Sequence, residues 1–268
     1  MLTITNIVVA SLALGAVQAL PQHIHARQDN ATSTPAAPAA PASTPDIFDD
    51  LLTAPTAIKR FQRLLTVGEG PEGPELLKGD DLRKATVFTF DRNAKPAPGA
   101  EGGVAVAANI GNFPILTGLG ISTTVGFLEP CGINTPHVHP RATEMLTLVE
   151  GEKMEFGFVL ENALVGPKQN PEVAGYLNAF EATVFPQGSI HYQFNNNCKP
   201  ATFVAALNSE DPGTSQIAQN FFALNSEVVD ATLGFPGQIN SKNIDEFGAS
   251  LPANLARDAR ACMAKCGQ

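Results

Sequence analysis

The sequence of 268 residues contains no tryptophan and only two tyrosines, so it offers little of the aromatic surface on which sugars stack. Basic residues are also few. The 17 Lys and Arg are outnumbered by 26 Asp and Glu, which gives a net charge of −9. No block of basic residues occurs anywhere, and a nucleic-acid partner is therefore not expected because no cationic cluster would neutralise phosphates.

Long hydrophobic runs are absent as well. The run from Ile7 to Val17 is too short to span a bilayer, and the small residues of Val17-Gln18-Ala19 follow it. This pattern is typical of a secretory signal peptide over residues 1–19, although no Lys or Arg precedes the run. We expect a mature protein without a membrane anchor, secreted and either extracellular or associated with the cell wall.

The next stretch, residues 20–46, is rich in Ala, Pro, Ser and Thr and has too few large apolar residues to bury a core. It is predicted to be a disordered linker. The only N-glycosylation sequon of the chain, at Asn30, falls in it. The folded domain is then expected over residues 47–268, with a barrel at about 85–210 and a helical region at about 215–268.

Cysteine is scarce but even in number, and in an exported chain the four residues are expected to form disulfides. Cys131 lies six residues before His137, and Cys198 lies seven after His191. If the strands carrying these histidines pair antiparallel, the two cysteines face each other, which predicts a Cys131–Cys198 bond. The remaining pair would be Cys262–Cys266, although an i,i+4 bond on a helix has awkward geometry.

Glycine and proline are frequent, with 23 and 21 residues, which favours short strands joined by turns. A helix is predicted over 56–66, with Thr56 as its N-cap. Strands are predicted at Ala85–Phe90, Val104–Asn109, Gly118–Phe127, Met145–Val149, Lys153–Leu160, Ala182–Phe185, Ile190–Asn195 and Thr202–Leu207, with a hairpin at 150–152. This series predicts an all-β sandwich or barrel.

From residue 216 onward, the spacing of the apolar residues changes to one typical of helices. Helices are predicted over 217–224 and 226–233, residues 243–246 read as a capping box, and a last helix is predicted over 251–266. Two arrangements stay open: these helices cover one end of the barrel, or they pack against a neighbouring subunit.

Three of the five histidines lie in two short stretches of the presumed barrel, whereas His23 and His25 fall in the polar N-terminal tail. His137 and His139 are two apart, so on a strand their imidazoles point to the same face. Glu144 begins the next apolar run and would return its carboxylate to that face if the run folds back antiparallel. His191 supplies a further imidazole, and the four side chains together predict a divalent-metal site.

The two stretches resemble the two motifs of the cupin family. Gly132, His137, His139, Glu144 and Gly151 match the first motif, with four residues instead of five after the leading glycine. Pro186, Gly188, His191 and Asn195 match the second, whose leading glycine falls on Phe180. The run PHVHPRATE is closest to germin-like proteins and is also similar to the spherulin-type proteins.

The resemblance implies a cupin jelly-roll barrel with C-terminal helices that binds one manganese ion per subunit through His137, His139, Glu144 and His191. Ligand types alone would also admit iron, copper or nickel. Germin-like proteins include proteins with superoxide dismutase activity and also oxalate oxidases, which hold their substrate with two asparagines. Asn134 falls at one of these positions, where it is also a plausible turn residue, and Thr124 falls at the other.

Three classes of function follow. The first is redox chemistry on superoxide or oxalate, with superoxide dismutation ahead because it requires only an accessible redox metal and a proton source. The second is a non-catalytic wall, spore or stress protein in which the metal is structural. The third, a sugar- or small-molecule-binding protein, lacks an aromatic platform. A homo-oligomer is compatible with each class.

Overall fold

Two facing antiparallel sheets form the body of the protein. The computed structural model describes residues 47–68, 71, 73–234, 243, 246, 255–256 and 259–267. The predicted signal peptide, the linker, the Asn30 sequon and the two central residues of the predicted capping box at 243–246 lie outside the described residues. Within the described part, no helix has the length and apolar composition needed to cross a membrane.

Short helices precede and follow the strands. The helices are α1 (Ile47–Thr53), α2 (Ala57–Leu65), α3 (Gly79–Thr86), α4 (Ile217–Phe222), α5 (Ser226–Thr232) and α6 (Arg260–Lys265), with a 3₁₀ turn at Pro114–Leu116. The strands are β1 (Thr66–Val67), β2 (Glu75–Leu76), β3 (Gly103–Ala108), β4 (Ser122–Leu128), β5 (Ile133–Val138), β6 (Glu144–Glu150), β7 (Met154–Val159), β8 (Val173–Leu177), β9 (Ala182–Phe185), β10 (Ile190–Phe194), β11 (Ala201–Leu207), β12 (Ser215–Gln216) and β13 (Leu255–Ala256).

The first sheet has the strand order β12-β5-β10-β7-β8, and β13 also pairs with β5. The second sheet has the order β3-β4-β11-β6-β9, while β1 and β2 form a separate ribbon. Alternating residues of the two large sheets meet in a core that includes Leu128, Leu146, Leu148, Met154 and Phe203, each at most 2% exposed. The predicted all-β class with C-terminal helices is confirmed.

Several local predictions agree with the structure. The helix predicted over 56–66 is α2, and the Thr56 side chain accepts a hydrogen bond from the Lys59 backbone N–H, as an N-cap does. The helices predicted after residue 216 are α4 and α5. The N-cap of α5 is Asn225, whose side chain accepts a hydrogen bond from the Glu227 N–H.

The strand predicted at 85–90 is wrong. Helix α3 continues through Thr86, with Asp80 and Asp81 in its first turn and basic residues in its last, an arrangement that suits the helix dipole. The following apolar residues pair with no strand. Instead the rings of Phe88 and Phe90 lie with their centroids 5.0 Å apart, and Phe88 also contacts Phe113 at 5.5 Å. Aromatic packing thus replaces the sheet hydrogen bonding that the residue types suggested.

The hairpin predicted at 150–152 is also wrong. Strands β6 and β7 belong to opposite sheets, so the connection between them crosses the sandwich instead of turning back. Gly151, with φ of +116°, lets the chain make this crossing, since an L-residue there would be strained. The same crossing pattern carries the chain from β5 to β6.

The last helix predicted over 251–266 begins later than expected. Leu255 and Ala256 form a strand that pairs with Asn134 and Ile133 of β5, and the helix covers only Arg260–Lys265. The Leu255 carbonyl accepts hydrogen bonds from the backbone N–H groups of Glu101 and Gly102, both at 3.0 Å. Residues 255 and 256 therefore form a strand because they pair with β5. Helical periodicity alone did not indicate this pairing.

Both predicted disulfide pairings are wrong. The structure bonds Cys131 to Cys262 and Cys198 to Cys266. The two loops predicted to meet are neighbours, since the Cys131 N–H donates to the Asn197 carbonyl at 3.2 Å. Helix α6 supplies Cys262 to one loop and its C-cap residue, Cys266, bonds the other, so the tail connects to the barrel instead of to itself.

We expect Leu255→Ala to lower the free energy of unfolding by about 2–4 kcal/mol, since Leu255 is only 1% exposed and belongs to the core. Chemical denaturation of both proteins measures the change. Leu119→Ala is the matched control, because Leu119 is 42% exposed and its truncation should change stability by less than about 1 kcal/mol. Equal losses in the two variants would contradict a structural role for β13.

Candidate metal centre

Four side chains from both sheets meet inside the barrel at one end of β5. His137 lies on β5, and His191 on β10 is directly opposite it in the antiparallel register. His139 follows the end of β5 by one residue. Glu144 opens β6, which pairs with β9 and β11 and not with β5. The carboxylate therefore reaches the imidazoles from the facing sheet, rather than from the antiparallel return that we expected.

The four predicted ligands are brought together and removed from water. His137, His139, Glu144 and His191 are 3%, 8%, 3% and 1% exposed. One ligand atom from each can be chosen so that all lie within 4.8 Å of one another. Glu144 Oε2 lies 2.8 Å from His139 Nε2 and 3.6 Å from His191 Nε2.

Backbone carbonyls determine which ring nitrogen points to the centre. The Nδ1 atoms of His137, His139 and His191 lie 2.8, 2.6 and 2.9 Å from the carbonyl oxygens of Thr135, Gly213 and Ser189. A carbonyl only accepts, so each Nδ1 carries the proton and donates it. The Nε2 atoms are then the ones that face the centre and can ligate a metal, as in other histidine metal sites.

The electrostatics of the site favour the ligand forms of His137 and Glu144. Burial lowers the pKa of His137 to about 3, so its imidazole is neutral at physiological pH. Burial also opposes the charged form of Glu144, but the hydrogen bond from His139 and the proximity of His191 outweigh burial and lower its pKa to about 2. Burial similarly opposes protonation of His139, yet Glu144 raises its pKa above the ordinary value.

The residues present fit a divalent cation. His191 Nε2 is buried and has no hydrogen-bond partner in the described part of the chain, which is costly unless another group satisfies its lone pair. Its ring is fixed by stacking on Phe185, with centroids 4.4 Å apart and planes inclined by 14°. Three imidazole nitrogens and a carboxylate suit a transition metal, and an octahedral ion would keep two positions for water or substrate.

A cavity of about 340 Å³ leads to the centre. His137, His139 and Glu144 form part of its wall, and Ala107, Thr124, Asn134, Ala205, Thr214 and Gln216 form most of the rest. Asn134 and Thr124, the two positions compared with the substrate-binding asparagines of oxalate oxidases, therefore both face the cavity. The cavity accordingly gives access to three of the four predicted ligands, His137, His139 and Glu144.

Sequence reasoning missed Gln193, to which it assigned no chemistry. Gln193 is 0% exposed, and its Oε1 accepts a hydrogen bond of 2.6 Å from Asn134 Nδ2, while its own Nε2 is buried and has no partner among the described residues. The signal was available in the sequence, because Gln193 follows His191 by two residues on one strand and shares its inward face. Thr214 and Gln216 gave no such signal, since they enter the cavity wall from a distant loop and β12.

Comparison with known proteins agrees with this geometry. A family model described as "Cupin" matches residues 92–241, more than half of the chain. The chain belongs to the cupin family. This cupin is 39% identical to Spherulin-1A of Physarum polycephalum over 226 residues, which make up 84% of the chain and 81% of that protein. It is a germin- and spherulin-type member, since it is also 37% identical to Germin-like protein 8-2 of Oryza sativa subsp. japonica over 181 residues, 67% of the chain and 78% of that protein.

Solved structures agree on the fold. The cupin superposes on a structure titled "Recombinant oxalate oxidase in complex with glycolate" with a TM-score of 0.51, over 62% of the chain and 81% of that protein. Sequence identity between the two is 22%, so this likeness concerns the barrel and not the reaction. The His₃Glu metal-binding group is thus carried by a cupin barrel.

Proposed function

We propose that this cupin binds one manganese ion per subunit through His137, His139, Glu144 and His191 and removes superoxide with it. The observation that carries the proposal is the convergence of three Nε2 atoms and one carboxylate at the base of an open cavity. When bound, manganese supplies one-electron transfer by cycling between two oxidation states. The chain's part is to hold the imidazoles in one tautomer, supply the negative charge of Glu144, and admit a small reactant.

Superoxide fits the cavity better than oxalate does. Oxalate is a dicarboxylate and needs several hydrogen-bond donors beside the metal, but one of the two relevant positions is Thr124, whose hydroxyl is shorter than a carboxamide. The other, Asn134, already donates to Gln193. The same cavity wall is sufficient for superoxide removal, because this reaction requires only access to the metal and a proton source.

The assay that tests this proposal compares two reactions of the manganese-loaded protein, superoxide removal and hydrogen peroxide release from oxalate. We expect superoxide removal well above that of free manganese at equal concentration and oxalate oxidation at background. The outcome that contradicts the proposal is superoxide removal no faster than free manganese, with metal content confirmed.

We further predict that Thr124→Asn raises oxalate binding and turnover, because it places a second carboxamide on the cavity wall. A single added hydrogen bond is worth about 0.5–1.5 kcal/mol, or about 2–12-fold in affinity. Thr123→Asn is the matched control, since neighbouring strand residues point to opposite faces and Thr123 is not part of this wall. Oxalate kinetics are measured on both variants. A gain in Thr124→Asn alone indicates an effect of the cavity, whereas equal gains in both variants indicate a general effect of the added amide.

A structural role for the metal is the second candidate, and one observation favours it. The ligands come from both sheets, since His137 and His191 belong to the first and Glu144 to the second. A bound ion would therefore cross-link the sandwich and stabilise the fold without any turnover. A protein that retains manganese but stays at background in both assays would support this class over the enzyme.

We also propose that the protein is secreted after removal of residues 1–19, and that residues 20–46 form a linker glycosylated at Asn30. Two disulfides support this location, because such bonds persist mainly in oxidising compartments. The secreted protein should begin at Leu20 by N-terminal sequencing and lose mass on treatment with an N-glycosidase. Retention of residues 1–19 in the secreted form would contradict the proposed cleavage.

A further inference from the structure

Two disulfides lie side by side where the C-terminal tail meets the barrel, and they differ in exposure. Cys131 and Cys262 are 0% and 2% exposed, so their bond is sealed in the interior. Cys198 is exposed and Cys266 is half-buried. We call Cys131–Cys262 the inner disulfide and Cys198–Cys266 the outer disulfide. Their nearest sulfurs, those of Cys131 and Cys266, are 3.8 Å apart.

The outer disulfide opens into a cleft of about 680 Å³. Cys198 forms part of the wall, together with Gly151, Glu152, Asn197, Lys199 and Lys265. Lysines and glutamates both line it, so the cleft has no strong preference for a charged reagent. Its volume is ample for a small thiol, which could approach the Cys198 sulfur from solvent.

The two disulfides hold a segment that closes a seam of the barrel. We define the C-terminal strap as residues 255–256 and 259–267. Its strand β13 pairs with β5 of the first sheet, and the Leu255 carbonyl accepts from Glu101 and Gly102, which lead into β3 of the second sheet. The strap thus joins an edge of one sheet to an edge of the other.

The seam lies next to the metal cavity. Leu255 is the register partner of Asn134, and Asn134 lines the cavity and donates to Gln193. None of the four metal ligands belongs to the strap. Loosening the strap would therefore act on the Asn134 side of the cavity while leaving the ligands in place.

We propose that the outer disulfide is a thiol-reactive site that governs the strap, and that a small dithiol reduces it in the native protein. One thiolate of the dithiol attacks Cys198 Sγ, the Cys198–Cys266 bond breaks, and Cys266 leaves as a thiolate that takes up a proton. The second thiol then attacks the mixed disulfide, and Cys198 is released as a thiol. Two electrons pass to the protein, and the dithiol becomes a cyclic disulfide.

Attack at Cys198 is favoured because it is the accessible sulfur, whereas both sulfurs of the inner disulfide are shielded. After reduction the strap keeps its inner anchor at Cys131 and loses its outer one. The strap is then tethered by one bond, and the β13–β5 pairing opens more often.

Graded reduction with dithiothreitol, trapping with N-ethylmaleimide and peptide mapping test this proposal on the intact metal-loaded protein. We expect Cys198 and Cys266 to be labelled at least about tenfold faster than Cys131 and Cys262. Labelling of all four at the same rate, of the inner pair first, or of none before global unfolding would overturn it.

A second measurement tests the link to the cavity. In the partially reduced protein, backbone hydrogen exchange at Ile133, the register partner of Ala256 in β13, should speed up several-fold while metal content stays constant. The double variant Cys198→Ser/Cys266→Ser should reproduce this change without reductant. The matched control Cys131→Ser/Cys262→Ser should instead unfold far more readily, since its sulfurs are buried. Unchanged exchange at Ile133 in the partially reduced wild-type protein would refute control of the seam.

Discussion

Replacing His191 by alanine is expected to abolish metal binding, lowering metal content from about one ion per chain to below about 0.1. His191 is 1% exposed, lies opposite His137 in the sheet and presents to the centre an Nε2 that has no hydrogen-bond partner within the part of the chain that the structure describes. Removing it leaves a carboxylate and two imidazoles, and the affinity should fall by more than about 100-fold. Elemental analysis after gel filtration in manganese-containing buffer measures the loss.

Two controls separate loss of the site from loss of the fold. His23→Ala removes a histidine from the N-terminal tail and should leave metal content unchanged. Glu144→Gln keeps the size of the side chain and removes only its charge, so it should empty the site with the barrel intact by circular dichroism. Full metal content in either His191→Ala or Glu144→Gln would contradict the ligand assignment.

Removing the metal with a chelator is expected to lower the melting temperature by about 10 °C. An ion present at about 1,000 times its dissociation constant stabilises the folded state by about 4 kcal/mol, and in a domain of this size each kcal/mol shifts melting by about 2–4 °C. The effect arises because the ligands lie in both sheets, so the ion resists their separation. Calorimetry with and without chelator checks it.

Specificity of this effect is tested by adding manganese back and by using a variant that cannot bind it. Manganese should restore the original melting temperature of the wild-type protein. The Glu144→Gln protein should melt at the same temperature with and without chelator. A chelator effect of equal size in that variant would mean that the stabilising ion binds elsewhere.

The metal ligands were predictable because the signal is local. The two-residue spacing of His137 and His139 places both imidazoles near one spot, although His139 lies just beyond the end of β5. The prediction that Glu144 joins the imidazoles was right, but the expected reason was wrong. Strand β6 crosses to the facing sheet instead of returning beside β5. Residue spacing and the two cupin motifs identified the four residues, but only the fold explains how they meet.

Features that depend on remote parts of the chain were not predictable. Helical periodicity at 251–266 could not reveal that Leu255 and Ala256 would complete an edge of β5. The wrong prediction of the disulfide pairings followed from that error. The position of the C-terminal tail determines which loops Cys262 and Cys266 can reach. Gln193 differs from these cases. It lies two residues after His191 on the same strand, so strand alternation alone predicts that its side chain points inward.

The most direct test of the proposed centre is elemental analysis of protein purified from its native source, combined with anomalous diffraction at the manganese absorption edge. The proposal predicts about one manganese per chain and a single anomalous peak among His137, His139, Glu144 and His191. Zinc as the dominant metal, no metal at all, or an anomalous peak away from these side chains would contradict it.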